Sequence, residues 1–163
     1  MTGNESVATD VVDAVLGQAA DAVAPIRRQR PAVIEHTQGS YDALFSPDDA
    51  GGFIVEHRFA VALRVAALAE QDELVAHYRA GVSTATARAM VGGEAVADPR
   101  LAALVAHADL LTTGPAEASP AALNRLSAAG FSTADIVAAG QLIAFVNYQL
   151  RVVAGLRLIG EAQ

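Results

Sequence analysis

Apolar positions along the chain recur every three or four residues rather than every second one, which predicts helices throughout and no sheet. Val7 to Ala24 carries the stripe Val11, Val15 and Ala19 and reads as a first amphipathic helix, ending before Pro25. A connector holding Arg27, Arg28 and Arg30 follows. Pro31 suits the first position of the next helix, whose apolar face holds Val33, Ile34, Tyr41, Leu44 and Phe45, with Gly39 weakening its middle. Ser46, Pro47, Asp48, Asp49, Gly51 and Gly52 form a loop. From Phe53 to Ala69 nearly every position is apolar, interrupted only by Glu56, His57, Arg58 and Arg64, so this segment is expected at the centre of the core. A second run begins at Glu70 or Gln71 and continues to about Val91, where Gly92 and Gly93 stop it. Pro99 and Gly114-Pro115 bracket a helix over Asp98 to Leu111, and Ser119-Pro120 opens a short one that closes at Gly130. Ser132 with Asp135 three residues on forms a capping box for the last and longest helix, toward Leu158.

Composition narrows the class. Of 163 residues, 53% are hydrophobic and 18% charged, enough to build one core and far from the balance that keeps chains disordered. The expected organisation is an N-terminal helix and connector over 1–30 and a helical body over 31–163, forming one compact domain. No apolar run reaches the roughly 18 uninterrupted residues of a spanning helix. Arg58, Arg64 and Glu70 break one candidate, and Asp135, Gln141, Asn147 and Arg151 the other. Met1 to Asp10 has no basic residue and no apolar block after it, so the reading is cytoplasmic, with no membrane contact. A net charge of -7, with basic residues scattered apart from the Arg27–Arg30 group, argues against nucleic acid as a partner. Every basic residue is Arg and Ala is abundant, which suggests a bacterial source with a GC-rich genome. Cysteine is absent, which removes disulfides, thiolate metal sites and thiol nucleophiles together.

Candidate chemistry centres on Arg58, Glu70, Glu73 and His77. In a helix starting near Glu70, Glu73 and His77 lie four apart on one face, where a carboxylate can orient an imidazole or raise its basicity. The plainer reading is that acidic residues gather in first turns to meet the helix dipole. His36, His57 and His107 lie on three different predicted helices without two-His metal spacing, so no metal or cofactor is expected and each is read as solvent-facing or capping. Asn147 and Arg151, four apart on an apolar helix, read as a buried paired contact or part of a subunit interface.

The same block resembles a family. In the peroxidase branch of the AhpD-like carboxymuconolactone decarboxylase superfamily, a Glu, a Cys pair and a His recur at spacings that fall here on Arg58, Glu70, Glu73 and His77. Only the His is kept, and a carboxylate has no two-electron redox cycle to replace the thiols. The closing segment FSTADIVAAGQLIAFVNYQLRVVAGL is similar to the family's last helix, with Phe145, Asn147, Tyr148 and Arg151 at its marked places, and RPAVIEHTQGSYDALFSP resembles the helix before its core hairpin. The likeness spans about Pro31 to Leu156. It implies an all-α AhpD-like domain whose central hairpin is built by the helices starting near Phe53 and Glu70, assembled as a homo-oligomer. It also implies a protein that has lost the Cys-pair reaction and keeps a Cys-independent pocket around His77. The decarboxylase branch, whose central helix resembles ELVAHYRA at Glu73, His77 and Arg79, suggests instead an enzyme on a small organic acid or lactone. In that reading His77 is the acid/base, Glu73 orients it, and Arg58 or Arg64 clamps an anion. A third reading is a non-catalytic scaffold or partner of a related enzyme, in which Glu70 and Glu73 only cap a helix.

Overall fold

The computed structural model describes residues 10–162, and every regular element among them is helical. In chain order these are α1 (Val11–Leu16), α2 (Ala20–Arg27), α3 (Pro31–Phe45), α4 (Val55–Leu68), α5 (Asp72–Arg79), α6 (Thr84–Gly92), α7 (Pro99–Thr113), α8 (Pro120–Ala128) and α9 (Thr133–Glu161). Short 3-10 turns cover Gly17–Ala19 and Pro115–Glu117. The start of the predicted first helix, Val7 to Thr9, lies outside the described residues.

Helix α4 sits at the centre because from Ala60 onward its composition is apolar almost all round, with Arg64 the one charge. Ala60, Val61, Ala62, Leu63, Val65 and Ala66 are all fully buried, and α3, α5, α6, α7 and α9 pack around it. Its alanines let neighbouring backbones approach closely, while Leu63 and Val65 fill the spaces between them. A three-residue turn, Ala69 to Gln71, folds α5 back onto α4 and makes the expected central hairpin. Helix α9 touches α1, α2, α3, α4, α7 and α8, burying Ala139, Leu142, Ile143, Val146 and Val153. By length and composition it is also long and apolar enough to cross a membrane. Its polar interruptions therefore exclude less than the sequence suggested, although its inward face is part of this core.

The capping signals work as written. Ser132 Oγ accepts from the Asp135 N–H and Asp135 accepts from the Ser132 N–H, which completes the capping box of α9. Asp98 accepts from the Arg100 N–H, with Pro99 at the first helical position of α7. Gly93 ends α6 in the left-handed conformation.

Three boundaries differ from the pattern. The predicted first helix breaks at Gly17, whose φ of 57° leaves the helical region, and α2 then runs through Pro25 to Arg27. Pro25 cannot donate to the Asp21 carbonyl, a loss of one rung in a helix that ends two residues later. The run from Glu70 to Val91 is two helices, because the chain turns at Ala80 to Ser83 and Ser83 caps α6 by accepting from the Thr86 N–H. Gly81 is required in that turn: a Cβ there would overlap the ring of Phe59. Gly39, by contrast, lies inside an unbroken α3.

Two polar clusters hold the non-helical segments. Asp10 caps α1 and pairs with Arg27 at 2.9 Å, and Arg27 also contacts Asp13, so one residue of the Arg-rich connector is a buried ion-pair partner. The loop before α4 is gripped from both sides. Asp135 accepts from the N–H groups of Gly52 and Phe53 at 2.9 and 3.1 Å. The Arg100 guanidinium donates to the Gly52 carbonyl at 3.0 Å while lying over the Phe131 ring. A Cβ on Gly51 or Gly52 would stand 2.8 Å from an Asp135 oxygen, so both positions need glycine for close approach.

Candidate functional site

His77 lies near the end of α5, half-buried, and its position follows from the hairpin: Leu74 and Tyr78 point into the core and His77 falls beside them. Its Nε2 meets the hydroxyl of Tyr41, from α3, at 3.0 Å. Nδ1 makes no hydrogen bond within the described chain. Burial pushes the His77 pKa below its ordinary value, so the ring is neutral at pH 7. Burial, aided by the charge of Asp42, raises the Tyr41 pKa, so the phenol keeps its proton. The pair therefore shares one hydrogen bond with its direction open. If Tyr41 donates, Nδ1 is left as a donor; if Nε2–H donates, Nδ1 is left as an acceptor.

Aromatic packing holds this pair in place. Tyr41 stacks on Phe45 at 4.7 Å between ring centres, Phe45 stacks on Tyr78 at 5.2 Å, and His77 meets Tyr78 edge-on at 5.0 Å. Beneath it the fully buried Tyr78 donates to Gln149 Oε1 of α9, while the Gln149 amide nitrogen has no partner among the described residues.

The structure does not assemble the other residues that the sequence grouped with His77. Glu73 Oε1 is paired with Arg157 of α9 at 2.6 Å and does not bond His77. The carboxylate has a full cation within reach, which a half-buried neutral imidazole cannot match. Glu70 is exposed and outside α5, in the turn, with a φ of 53° that L-residues rarely adopt. Glu70, Glu73, Arg157 and Leu158 line an open cleft of about 370 Å³, to which His77 does not contribute. Arg58 is no anion clamp. It is buried, lies 4.8 Å over the Phe53 ring, and donates to the carbonyls of Phe53, Leu44 and Ala50 at 2.7, 2.9 and 3.2 Å. Burial lowers its pKa, opposed by the charge of Asp135. Arg64 is likewise occupied, donating to both Asp109 oxygens and to the Met90 carbonyl.

The remaining histidines separate. His36 is exposed. His57 and His107 are buried, contrary to the solvent-facing reading. His57 Nε2 lies 3.1 Å from Asp98, the cap of α7, and both His57 and His107 keep a buried Nδ1 without a partner among the described residues. Burial, then the nearby Arg125 charge, lowers the His107 pKa. Among the described residues no group of three His, Asp or Glu side chains is placed to hold a metal. Asn147 and Arg151 do not pair through their side chains: Asn147 donates back to the Ile143 carbonyl, and the exposed Arg151 donates to the Asn147 carbonyl. Tyr41, the side chain that meets His77, is one that sequence reasoning assigned only to an apolar face. A hydroxylated ring on that face was the available signal, because a buried phenol needs a partner.

No protein-family model matches the sequence, and no curated protein matches it. The fold does match a solved structure, described as the crystal structure of an uncharacterized peroxidase-related protein from Silicibacter sp. TM1040. The TM-score is 0.70 at 19% identity, over 75% of this chain and 66% of that one. The chain spans just under two thirds of that neighbour, and at this identity the likeness speaks for the fold: an all-α, AhpD-like arrangement shared with a peroxidase-related protein.

Proposed function

We propose that this chain is an AhpD-like protein without thiol peroxidase chemistry, in which His77 and Tyr41 form a neutral acid/base pair that binds, and transfers a proton with, a small uncharged carbonyl compound such as a lactone. One observation carries the reading: the 3.0 Å contact between Tyr41 Oη and His77 Nε2, at the motif position that this sequence keeps. The absence of any cysteine removes the redox half of the family's chemistry. A neutral ligand is favoured over a carboxylate because Arg58 and Arg64 are both spent on protein acceptors. Neutral His77 is suited to accept a proton at Nδ1, and Tyr41, bound to Nε2, stabilises the imidazolium that results by turning its oxygen toward Nε2–H.

The test is a panel of small lactones followed by the imidazole NMR signals of His77, alongside an organic hydroperoxide assay with a dithiol reductant. Saturable shifts of His77 that are lost in Tyr41→Phe, with no hydroperoxide consumption, are expected. Hydroperoxide turnover that requires His77 overturns the proposal, as does a His77 signal indifferent to every lactone. That second result leaves the scaffold reading, which the Glu73–Arg157 ion pair between α5 and α9 favours.

A further inference from the structure

A second cavity, of about 200 Å³, opens between α2, α3 and α9, away from Glu73 and Arg58. Its walls are apolar: Ile26, Val33, Ile34, Val152 and Leu156. Ile26 and Val33 are 42% and 54% exposed, so these apolar side chains stand at its mouth uncovered.

Two polar features border this cavity, about two turns of α3 apart. The hydroxyls of Thr37 and Tyr148 lie 3.0 Å apart on its wall and have no other side-chain partner among the described residues. One of them donates to the other, which leaves one O–H without an acceptor. The second is the pair of guanidinium groups at the rim. Arg27 is neutralised by Asp10 and Asp13, but the exposed Arg30 has no carboxylate partner among the described residues. An uncompensated cation at one end of an apolar hollow selects an anion that carries a hydrocarbon tail, and the hydroxyl pair bounds the hollow further along α3.

We propose that this cavity is a binding site for a short-chain aliphatic carboxylate, its tail between Val33, Ile34, Val152 and Leu156 and its head at Arg30. The small size of the hollow favours a short tail, and a six-carbon acid serves as the probe. The site is independent of the His77 reading, since it shares no residue with the His77–Tyr41 pair.

The test compares hexanoate, hexan-1-ol and hexylammonium by NMR titration of the Thr37, Val33 and Val152 signals in the full chain. Hexanoate is expected to saturate with a dissociation constant on the order of 1 mM, a fitting value for so few heavy atoms. Hexanol is expected to bind several-fold more weakly and hexylammonium not measurably. Arg30→Gln should weaken hexanoate about fivefold to tenfold and leave hexanol unchanged. Val33→Trp, a change at an exposed wall position that the fold tolerates, should block both. Equal binding of the acid and the alcohol, or hexanoate binding indifferent to Arg30→Gln, overturns the assignment of the head group. No saturable binding of any of the three overturns the site. Concentration-dependent dimerisation abolished by Val33→Asp would assign this face to a second copy of the chain instead.

Discussion

Asp135 offers a sharp quantitative test of how the loop before α4 is held. Its carboxylate accepts four hydrogen bonds, from the N–H of Gly52, Phe53 and Ser132 and from the Ser132 hydroxyl. Bonds to a charged group contribute roughly 1.5–3 kcal/mol each when deletion strands the partner. The Ser132 donors are exposed and can turn to water, whereas the Phe53 N–H is buried and the Gly52 N–H partly so. The loss that water cannot repair is therefore about two bonds, and Asp135→Ala should cost about 3–5 kcal/mol. Asp135→Asn keeps an acceptor for Gly52 and Phe53 but sets an NH2 donor against the exposed Ser132 N–H, which can turn to water, so it should cost only about 1–2 kcal/mol. Urea denaturation followed by circular dichroism measures both, with the midpoint shifting at constant slope. A cost below about 1 kcal/mol for Asp135→Ala would refute the claim that this carboxylate fastens the loop.

The pH dependence of the same group has a definite sign. Burial raises the Asp135 pKa, but the hydrogen bonds from Ser132, Phe53 and Gly52 outweigh it and hold the folded value below the ordinary carboxylate value. Its contribution is thus fully present above the unfolded pKa of about 3.9 and is lost as pH falls through the lower folded value. The acid limb of the wild-type stability curve should flatten in Asp135→Asn.

Other expectations follow from the packing and the site. Gly81→Ala forces a Cβ into the Phe59 ring, which is itself packed on Phe45, and should cost about 1–3 kcal/mol in the same denaturation assay; a neutral result would mean that the α5–α6 turn is free to shift. Glu73→Ala and Arg157→Ala, whose side chains are 32% and 37% exposed, should each cost under about 1 kcal/mol, with a coupling of about 0.5 kcal/mol in the double-mutant cycle. Since the folded His77 pKa is lowered, its neutral form is the one the fold prefers. Melting temperature should therefore fall, relative to His77→Gln, as pH drops below about 6.5, and an imidazole NMR titration should place the His77 midpoint below the ordinary histidine value of about 6.5.

Helix ends were the most legible part of the fold wherever a side chain states them locally, as Ser132 with Asp135, Asp98 with Pro99, and Gly93 all do. The break at Ala80 to Ser83 was hidden because Ala and Val on either side continue a helical period, and the demand for Gly81 comes from Phe59, on another helix. The site divides the same way. His77 could be singled out from its position, but its partner Tyr41 is 36 residues earlier. Glu73, at helical spacing from His77, is drawn instead to Arg157, a competitor from α9 that no local pattern reveals. Arg58 looked like a free cation in an apolar helix; its role became visible only with the three inward-facing carbonyls of the preceding segment.

The left-handed turn at Glu70 bears on how such a protein could change its chemistry over time. Helix α5 begins at Asp72, so residue 70 lies ahead of the first turn, where a helix dipole does most to stabilise a thiolate. Substituting cysteines at 70 and 73 would place one sulfur outside that field and would cut the 73–157 ion pair that joins α5 to α9. Acquiring paired-thiol activity would require rebuilding the turn and replacing Arg157 together with the two side-chain changes.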